Sequence, residues 1–304
     1  MLAIVIPFYK ITFFEETLQS LADQTDKRFK VYIGNDGSPE TPTNLLKKYK
    51  GQFDFVYHRF ETNLGGTSLT QQWERCIALT EAEKWIMILG DDDVLQDNFV
   101  AAFYENRNKI ETLKINVIRY ATEVINDKGK VISKQYIHPK LEKSTDFLMR
   151  KLKGGTRSSL SEFVFRRADF DKVKFKDLPL AWYSDYLAVL EVSNFSLLYT
   201  INDSLVYFRL SGLNITSKNN NLKIKNIATF RFYYYLLHDK KHFFDSKQQA
   251  VLRTTLEKTF LDNKKNVYFW LNFTKLYFTS FYFKQYLIFM FNVIQAICKK
   301  IKNT

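Results

Sequence analysis

Cysteine is scarce in this chain, with two copies, Cys76 and Cys298, in 304 residues. Two thiols cannot make a disulfide framework or a cysteine-rich zinc site, and they fit a reducing compartment. Four scattered histidines leave a zinc-hydrolase ligand set short of donors. Five prolines and ten glycines exclude a low-complexity linker and a collagen-like repeat. Hydrophobic residues make up 46% and charged residues 25%, which excludes wholesale disorder. A leader is not expected, because Leu2–Ile6 is apolar but lacks a basic segment before it and ends at Pro7. No internal repeat is visible. The length suits two average domains, or one large α/β domain with an appendage.

Negative charge is also in short supply. Forty-five Lys and Arg against 32 Asp and Glu leave a net charge of +13. Such an excess implies a polyanionic neighbour: nucleic acid, anionic lipid or a phosphorylated substrate. From Asn263 to Thr304 there are seven lysines, twelve aromatics and no acid. Leu276–Cys298 carries one charge, Lys284, and a bilayer span needs about 20 mostly apolar residues. Thr279, Ser280, Gln285, Asn292 and Gln295 interrupt that run. A basic, aromatic pair of helices lying in the headgroup layer fits better. Lys299, Lys300 and Lys302 would then meet anionic lipid, at about 1 kcal/mol each near the surface. A helical subdomain or a dimer interface is the competing reading of this tail.

The first half alternates strand and helix signals. Leu2–Pro7 reads as a strand and residues 13–24 as a helix with Phe14, Leu18 and Leu21 on one face. Phe29–Gly34 is a second strand, ended by the turn cluster Asn35-Asp36-Gly37-Ser38. Leu45–Tyr49 is a short helix and Phe53–Phe60 a third strand before Asn63-Leu64-Gly65-Gly66. Ser68–Leu79 is a helix with Leu69, Trp73, Cys76 and Ile77 on its core side. Trp85–Leu89 is an apolar fourth strand running into Gly90-Asp91-Asp92-Asp93. Further on, Asn98–Ile110 reads as a helix, and Val117–Ile125 with Val131–Tyr136 as a hairpin. Ser144–Leu152 is a helix, Glu162–Arg166 a strand and Ser184–Val192 a helix. Ser196–Ile201 and Leu205–Arg209 read as two short strands, and helices alone follow from Leu222. This alternation predicts an α/β fold with a mixed, mostly parallel sheet flanked by helices, and a C-terminal helical extension. Ligands in such sheets bind beyond the carboxyl ends of the strands, where Asp36, Asn63 and Asp91–Asp93 stand.

Three adjacent carboxylates after a buried strand repel one another unless a cation compensates. A hard divalent ion bridging to phosphate oxygens is one compensation. A solvated turn that caps the next helix is the other reading. By themselves, Asp36 is equally an Asx-turn residue, Asp185 a helix cap, and Arg209 a surface residue. Pro7 and Tyr9 read as strand-end packing.

The motifs in order carry a resemblance. Ile4-Val5-Ile6-Pro7-Phe8-Tyr9 resembles the opening strand of family 2 glycosyltransferases of the GT-A fold. Ser20-Leu21-Ala22-Asp23-Gln24-Thr25 resembles the end of the family's first helix. Ile33-Gly34-Asn35-Asp36-Gly37-Ser38 resembles its Asp-Asp-Gly-Ser turn, and Asn63-Leu64-Gly65-Gly66 its Asn-x-Gly loop. Ile88-Leu89-Gly90-Asp91-Asp92-Asp93 resembles its Asp-x-Asp motif. Trp182-Tyr183-Ser184-Asp185 stands where the family carries a catalytic Asp, and Leu205–Arg209 resembles its late strand. Ser159-Leu160-Ser161-Glu162 is similar to a segment of a bacterial subgroup and would face the acceptor. Departures are Gly90 at the usual first Asp, no Asp after Ser38, and Ser211 where many members have His.

The resemblance implies a catalytic domain over 1–217 and a basic, aromatic helical region over 218–304. It implies an inverting, metal-assisted transfer from a nucleotide sugar, expected to be a UDP-sugar, to a glycan or lipid-linked glycan in bacterial surface-polysaccharide synthesis. Pro7, Tyr9, Asp36, Asn63, Asp91 and Arg209 would bind the donor, with Asp36 accepting from the uracil imide and Asp91 reaching the ribose. Asp92 and Asp93 would hold Mn²⁺ or Mg²⁺, and Asp185 would be the general base. The implied location is cytoplasmic, peripheral on the inner face of the membrane, without nucleic acid. Two other readings stand beside it. One is a haloacid-dehalogenase-like phosphatase using Asp91 and Asp93, whose signature should follow a first strand rather than a fourth. The other is a basic nucleic-acid-binding protein, for which no recognisable motif is present.

Overall fold

The computed structural model describes residues 1–212, 221–279 and 283–302, with 296–302 by backbone alone. The expected boundary at 217/218 and Ser280 lie outside the described residues, as do the side chains of Cys298, Lys299, Lys300 and Lys302. By contact density the chain divides into two compact units, Met1–Asp177 with Ser184–Asn219, and Leu178–Tyr183 with Asn220–Thr304.

The first unit opens with β1 (Leu2–Phe8), α1 (Phe14–Ala22), β2 (Phe29–Asn35), α2 (Thr43–Lys48), β3 (Phe55–Arg59), α3 (Leu69–Ile77) and β4 (Trp85–Ile88). It continues with β5 (Val94–Leu95), α4 (Phe99–Thr112), β6 (Val117–Ile125), β7 (Leu141–Lys143), α5 (Ser144–Leu152), β8 (Phe163–Arg166), α6 (Arg167–Val173), α7 (Ser184–Val192) and β9 (Leu197–Arg209). The sheet order is β3-β2-β1-β4-β8-β6-β9-β5, with β7 pairing β9. The half that precedes the acidic cluster, β3-β2-β1-β4, is wholly parallel. Beyond it, β8 runs antiparallel between β4 and β6, and β6 and β9 are parallel.

Burial explains the order. Leu2–Ile6 is wholly buried, as a parallel strand covered on both faces must be, and Ile4 sits between Val31 and Met87. On α1, Phe14, Leu18 and Leu21 are buried, the stripe that 3.6-residue periodicity demands. Ser68 caps α3 by accepting from the Gln71 amide. The core side of α3 differs from expectation. Cys76 and Ile77 are buried together with Thr70 and Gln72, while Leu69 and Trp73 are half-buried. The Trp73 ring meets Phe175 edge-on at 5.0 Å.

Three local expectations are corrected. The return arm of the 117–136 hairpin is no strand, its pairing with β6 reduced to the isolated bridges Ile125–Val131 and Thr122–Tyr136 and a few single hydrogen bonds. The two strands expected at 196–209 are one, β9, with a bulge. Tyr120 opposes Ile201 and Ala121 opposes Leu205, so Asn202-Asp203-Ser204 is extra chain inside a strand rather than a turn. Asn202 exchanges hydrogen bonds with the His138 backbone at 3.1 and 2.8 Å. The elements β5, β7 and α6 were not expected; β5 has two residues and β7 reads Leu-Glu-Lys, too short or too polar for periodicity to register.

A buried ion cluster ties β6, β7, β9 and α5. Arg119 has no exposed surface and donates to Glu142 at 2.8 Å and Thr200 at 3.1 Å. Arg150 donates to the same carboxylate at 2.9 and 2.8 Å. Burial works against the Glu142 charge, but the Arg150 and Arg119 hydrogen bonds outweigh it and hold its pKa below the usual range.

The second unit contains α8 (Leu222–His238), α9 (Ser246–Asp262), α10 (Val267–Thr279) and α11 (Phe283–Lys302). Aromatic stacking builds its core: Phe230 on Phe269 at 3.9 Å, Tyr183 on Phe232 at 4.5 Å, and Phe260 against Phe273 and Phe289. Asp245 and Gln248 close a capping box at the start of α9. Among the described residues no helix is long and apolar enough to cross a membrane.

Replacing Glu142 by Gln leaves two guanidinium groups without their counter-charge. The expected loss is about 3–5 kcal/mol, read as a lowered thermal midpoint of the full chain.

Candidate functional site

Three loops meet beyond the carboxyl ends of β1, β2 and β4. The parallel register sets Phe8 opposite Asn35, and the Asp36 amide donates to the Phe8 carbonyl at 3.0 Å. The turn after β2 closes when Asn35 Oδ1 accepts from the Ser38 amide at 2.9 Å. Gly37 sits at φ +64° inside it, a conformation that L side chains resist. The Ser38 hydroxyl donates to the Tyr9 carbonyl at 2.6 Å, joining the two loops. Pro7 is half-buried and Tyr9 is 37% exposed at this edge.

Asp36 is buried. Its carboxylate accepts from the Leu64 amide at 2.8 Å, the Gly65 amide at 2.9 Å and the Arg75 guanidinium. About four acceptor positions exist on a carboxylate, so one remains. A Cβ on Gly65 would lie 2.6 Å from Asp36 Oδ2, which is why this loop needs glycine. Asn63 is exposed and its Oδ1 accepts from the Gly66 amide at 2.7 Å, shaping the loop. Arg75 lies 3.9 Å from the Phe60 ring centroid. Nothing in the sequence singled out Arg75, since an arginine on an amphipathic helix carries no signal of its own.

The three aspartates after β4 have three different settings. Asp91 Oδ2 accepts from the Tyr9 and Lys10 amides, both at 2.8 Å. Burial pushes its pKa up to about 6 despite those bonds. Asp92 gives its carbonyl to Arg209 Nε at 2.9 Å. Asp93 is buried; its Oδ1 accepts from the Arg209 amide at 2.9 Å and its Oδ2 from the Ser161 hydroxyl at 2.5 Å. Burial first, then the Asp92 charge, raises the pKa of Asp93. Ser161 Oγ also accepts from the Gly90 amide at 3.1 Å. A Cβ at Gly90 would stand 2.9 Å from Asp93 Oδ2 and 3.1 Å from Asp92 Oδ1. The departure at position 90 therefore has a steric reason.

Arg209, expected to face the donor, has a fully buried side chain. Its guanidinium donates to the Asp92 carbonyl, the Asn126 carbonyl at 2.9 Å and the Glu16 carboxylate, over the Phe13 ring at 4.5 Å. It holds the aspartate loop from behind instead of presenting a free fork to a ligand.

Asp185 lies in the first turn of α7 and its Oδ1 accepts from the Tyr186 amide at 2.9 Å. Its pKa is pushed up to about 7, by burial above all, with the Glu162 charge adding and the Tyr186 bond opposing. Glu162 is itself fully buried and accepts from the Ser158 hydroxyl at 3.0 Å and the Ser159 amide at 2.9 Å. The turn 158–162 thus holds Asp93 through Ser161 and carries the charge felt by Asp185 through Glu162. Ser161 and Glu162 were noticed only as part of a similar segment, and their inward aim was not legible.

Among the described residues, no three of His, Cys, Asp and Glu converge on one point. His138 contributes nothing: burial and nearby arginines hold its pKa down at about 2. The oxygen-only donors and mutual repulsion of Asp92 and Asp93 fit an ion of the Mg²⁺ or Mn²⁺ type, which takes one or two carboxylates and completes its shell with phosphate and water.

A mixed α/β sheet with acidic loops at its carboxyl edge is the GT-A fold of glycosyltransferases. Residues 3–174 match the profile of glycosyl transferase family 2, more than half of the chain, and the chain belongs to that family. No curated protein matches it in sequence. Among solved structures, S. aureus TarS 1–349 in complex with UDP-GlcNAc is similar at a TM-score of 0.65 and 16% identity, over 85% of this chain and 72% of that one. TarS 1–349 with UDP gives 0.61 and 16%, over 85% and 71%. GalNAc-T7 with UDP, GalNAc and Mn²⁺ gives 0.53 and 12%, over 86% and 56%. At such identities the likeness speaks for the fold. With the family established, the phosphatase and nucleic-acid readings have no support.

Ser161→Ala removes one hydrogen bond from Asp93 and leaves the Gly90 amide without its acceptor. The expected stability loss is about 1–3 kcal/mol, measured by denaturant unfolding.

Proposed function

We propose that this glycosyltransferase moves a sugar from a UDP-sugar to a hydroxyl of a glycan or lipid-linked saccharide, with inversion at the anomeric carbon. The observation that carries the reading is the pairing of two acidic centres through the 158–162 turn, the aspartate triplet held by Ser161 and the raised-pKa Asp185 beside Glu162. The UDP complexes of TarS and GalNAc-T7 support a uridine donor.

In this reading Pro7 and Tyr9 flank the base, and Asp36, steadied by Arg75 and the Asn63–Gly66 loop, offers its remaining acceptor position to the uracil imide. Asp91 faces the ribose while anchoring the loop after β1. Asp92 and Asp93 would hold Mn²⁺ or Mg²⁺, which when bound neutralises charge on the leaving diphosphate. Arg209 acts through the Asp92 carbonyl and so positions the triplet. Asp185 accepts the proton of the acceptor hydroxyl as that oxygen forms its bond to the anomeric carbon. The bond from that carbon to the diphosphate oxygen breaks in the same displacement, and UDP departs with the electron pair. A raised pKa suits a general base working near neutral pH. We place the enzyme on the cytoplasmic face of the membrane, where a lipid-linked acceptor would be found. The catalytic domain is assigned to 1–217 and the helical region to 218–304.

A donor panel with Mn²⁺, scored by nucleotide release, tests the class. Release from UDP-sugars above other nucleotide sugars is expected, and loss of it in both Asp92→Ala and Asp93→Ala. Full activity in those two variants would defeat the metal assignment.

Asp185→Asn should lower kcat by roughly 10²–10⁴-fold with donor KM little changed. Since only the ionised carboxylate accepts a proton, native turnover should rise with pH through about 7. That limb should vanish in the variant.

The sign for stability is opposite. An acid whose folded pKa is raised binds more protons folded than unfolded, so stability falls as pH climbs from its ordinary value of 3.8 to about 7. Asp185→Asn removes this penalty and should be more stable at pH 8 by on the order of 1 kcal/mol, discounted because the side chain is partly exposed.

A further inference from the structure

Helices α10 and α11 each have two apolar faces. The inner face of α10 carries Phe269, Phe273 and Leu276, all buried. Its second strip is Val267, Leu271 and Phe278, exposed by 69%, 68% and 50%. On α11, Phe289 and Val293 are buried, whereas Leu287, Phe291 and Ile294 are exposed by 70%, 60% and 55%. At 3.6 residues per turn each strip falls within an arc of about 60°. The strips join at the hairpin end, where the Phe278 ring meets Phe283 edge-on at 5.3 Å and Tyr286 at 5.5 Å. Solvent-facing apolar side chains of the two helices therefore meet at one end, an arrangement that marks a docking surface.

Charge decides what docks there. Lys275 and Lys284 are exposed, and helical geometry sets them at the margins of the strips. Between Asn263 and Thr304 there are seven lysines and no acid. A second copy would bring Lys275 and Lys284 again to strips on helices whose sequences hold no carboxylate, so self-association is electrostatically opposed. Among the described residues, neither helix is long and apolar enough to span a bilayer. An apolar strip bordered by lysines, without acids, matches a helix lying flat in anionic headgroups with its strip among the upper acyl carbons.

We infer that the joined outer strips of α10 and α11 form one surface that seats on an anionic phospholipid leaflet. The inference deepens the reading of a membrane-side acceptor and rests on it for its purpose, yet lipid binding is measured without any sugar transfer.

The test is co-sedimentation of the full chain with vesicles of about three parts phosphatidylcholine to one part phosphatidylglycerol, against phosphatidylcholine alone. The native chain should bind the anionic vesicles at least ~10-fold more tightly, and lose that margin in ~0.5 M salt. Leu287→Glu with Phe291→Glu should weaken binding by ~10-fold or more. Both sites are exposed, so helical circular dichroism and nucleotide release should stay native. Lys275→Gln with Lys284→Gln should weaken the anionic preference alone. Native-like vesicle binding by the double glutamate variant would overturn the inference. So would a native chain that ignores anionic vesicles, or a lipid-free dimer that the glutamates dissolve. Vesicle binding by a native chain that releases no nucleotide would support this surface and defeat the transferase reading, which separates the two failures.

Discussion

The structure turns on how Asp93 is held. Its carboxylate is buried beside that of Asp92, where ionised neighbours repel and desolvation favours the neutral acid. One oxygen takes the Arg209 amide and the other the Ser161 hydroxyl, so the group is pinned at once by the end of β9 and by the 158–162 turn. The same Arg209 extends its guanidinium to the Asp92 carbonyl, the Asn126 carbonyl and Glu16. The loop after β4, the end of β9, the turn after β6 and helix α1 are thereby fixed to one buried cation. Burying such a cation is costly unless its donors find partners, and here two backbone carbonyls and a carboxylate supply them.

Three consecutive aspartates thus have three tasks. Asp91 organises the loop after β1 through two amides. Asp92 lends its carbonyl to Arg209, and Asp93 is locked between β9 and the 158–162 turn. Gly90 is the condition for this crowding, since any side chain there would meet two carboxylate oxygens. The 158–162 turn extends the arrangement toward Asp185 by aiming Ser161 at Asp93 and burying Glu162 in a separate cap of serines. Donor-side and acceptor-side chemistry in the proposed reaction would then share one short, buried segment.

The helical unit follows a different economy of contacts. Its core is made of stacked rings with few polar anchors, Tyr277 to Glu257 and Trp270 Nε1 to the Lys264 carbonyl among them. Each of α10 and α11 has enough apolar residues for two faces and needs only one for packing. The surplus, bordered by lysines, distinguishes an interaction surface from an ordinary core helix.

Much of the fold was legible in the residues alone. The run Leu2–Ile6, the Phe14-Leu18-Leu21 stripe and the polar clusters after each strand marked a parallel sheet with a site at its carboxyl edge, because periodicity and turn chemistry are local properties. The acidic triplet and Asp36 stood out for the same reason, whereas Asp185 reads by itself as a helix cap and was singled out only by the resemblance of Trp182–Asp185 to the family's motif. What sequence could not decide was direction. Arg209 reads the same whether it faces a ligand or is buried behind a loop. Trp73 reads as core though Thr70 and Gln72 took that place, and Asn202–Ser204 reads as a turn though it bulges within a strand. Those outcomes depend on which strands become neighbours, and β8 entering between β4 and β6 is what brings Ser161 to Asp93 across 68 residues of chain. Long-range pairing sets the aim of a side chain, and nothing in its local sequence encodes it.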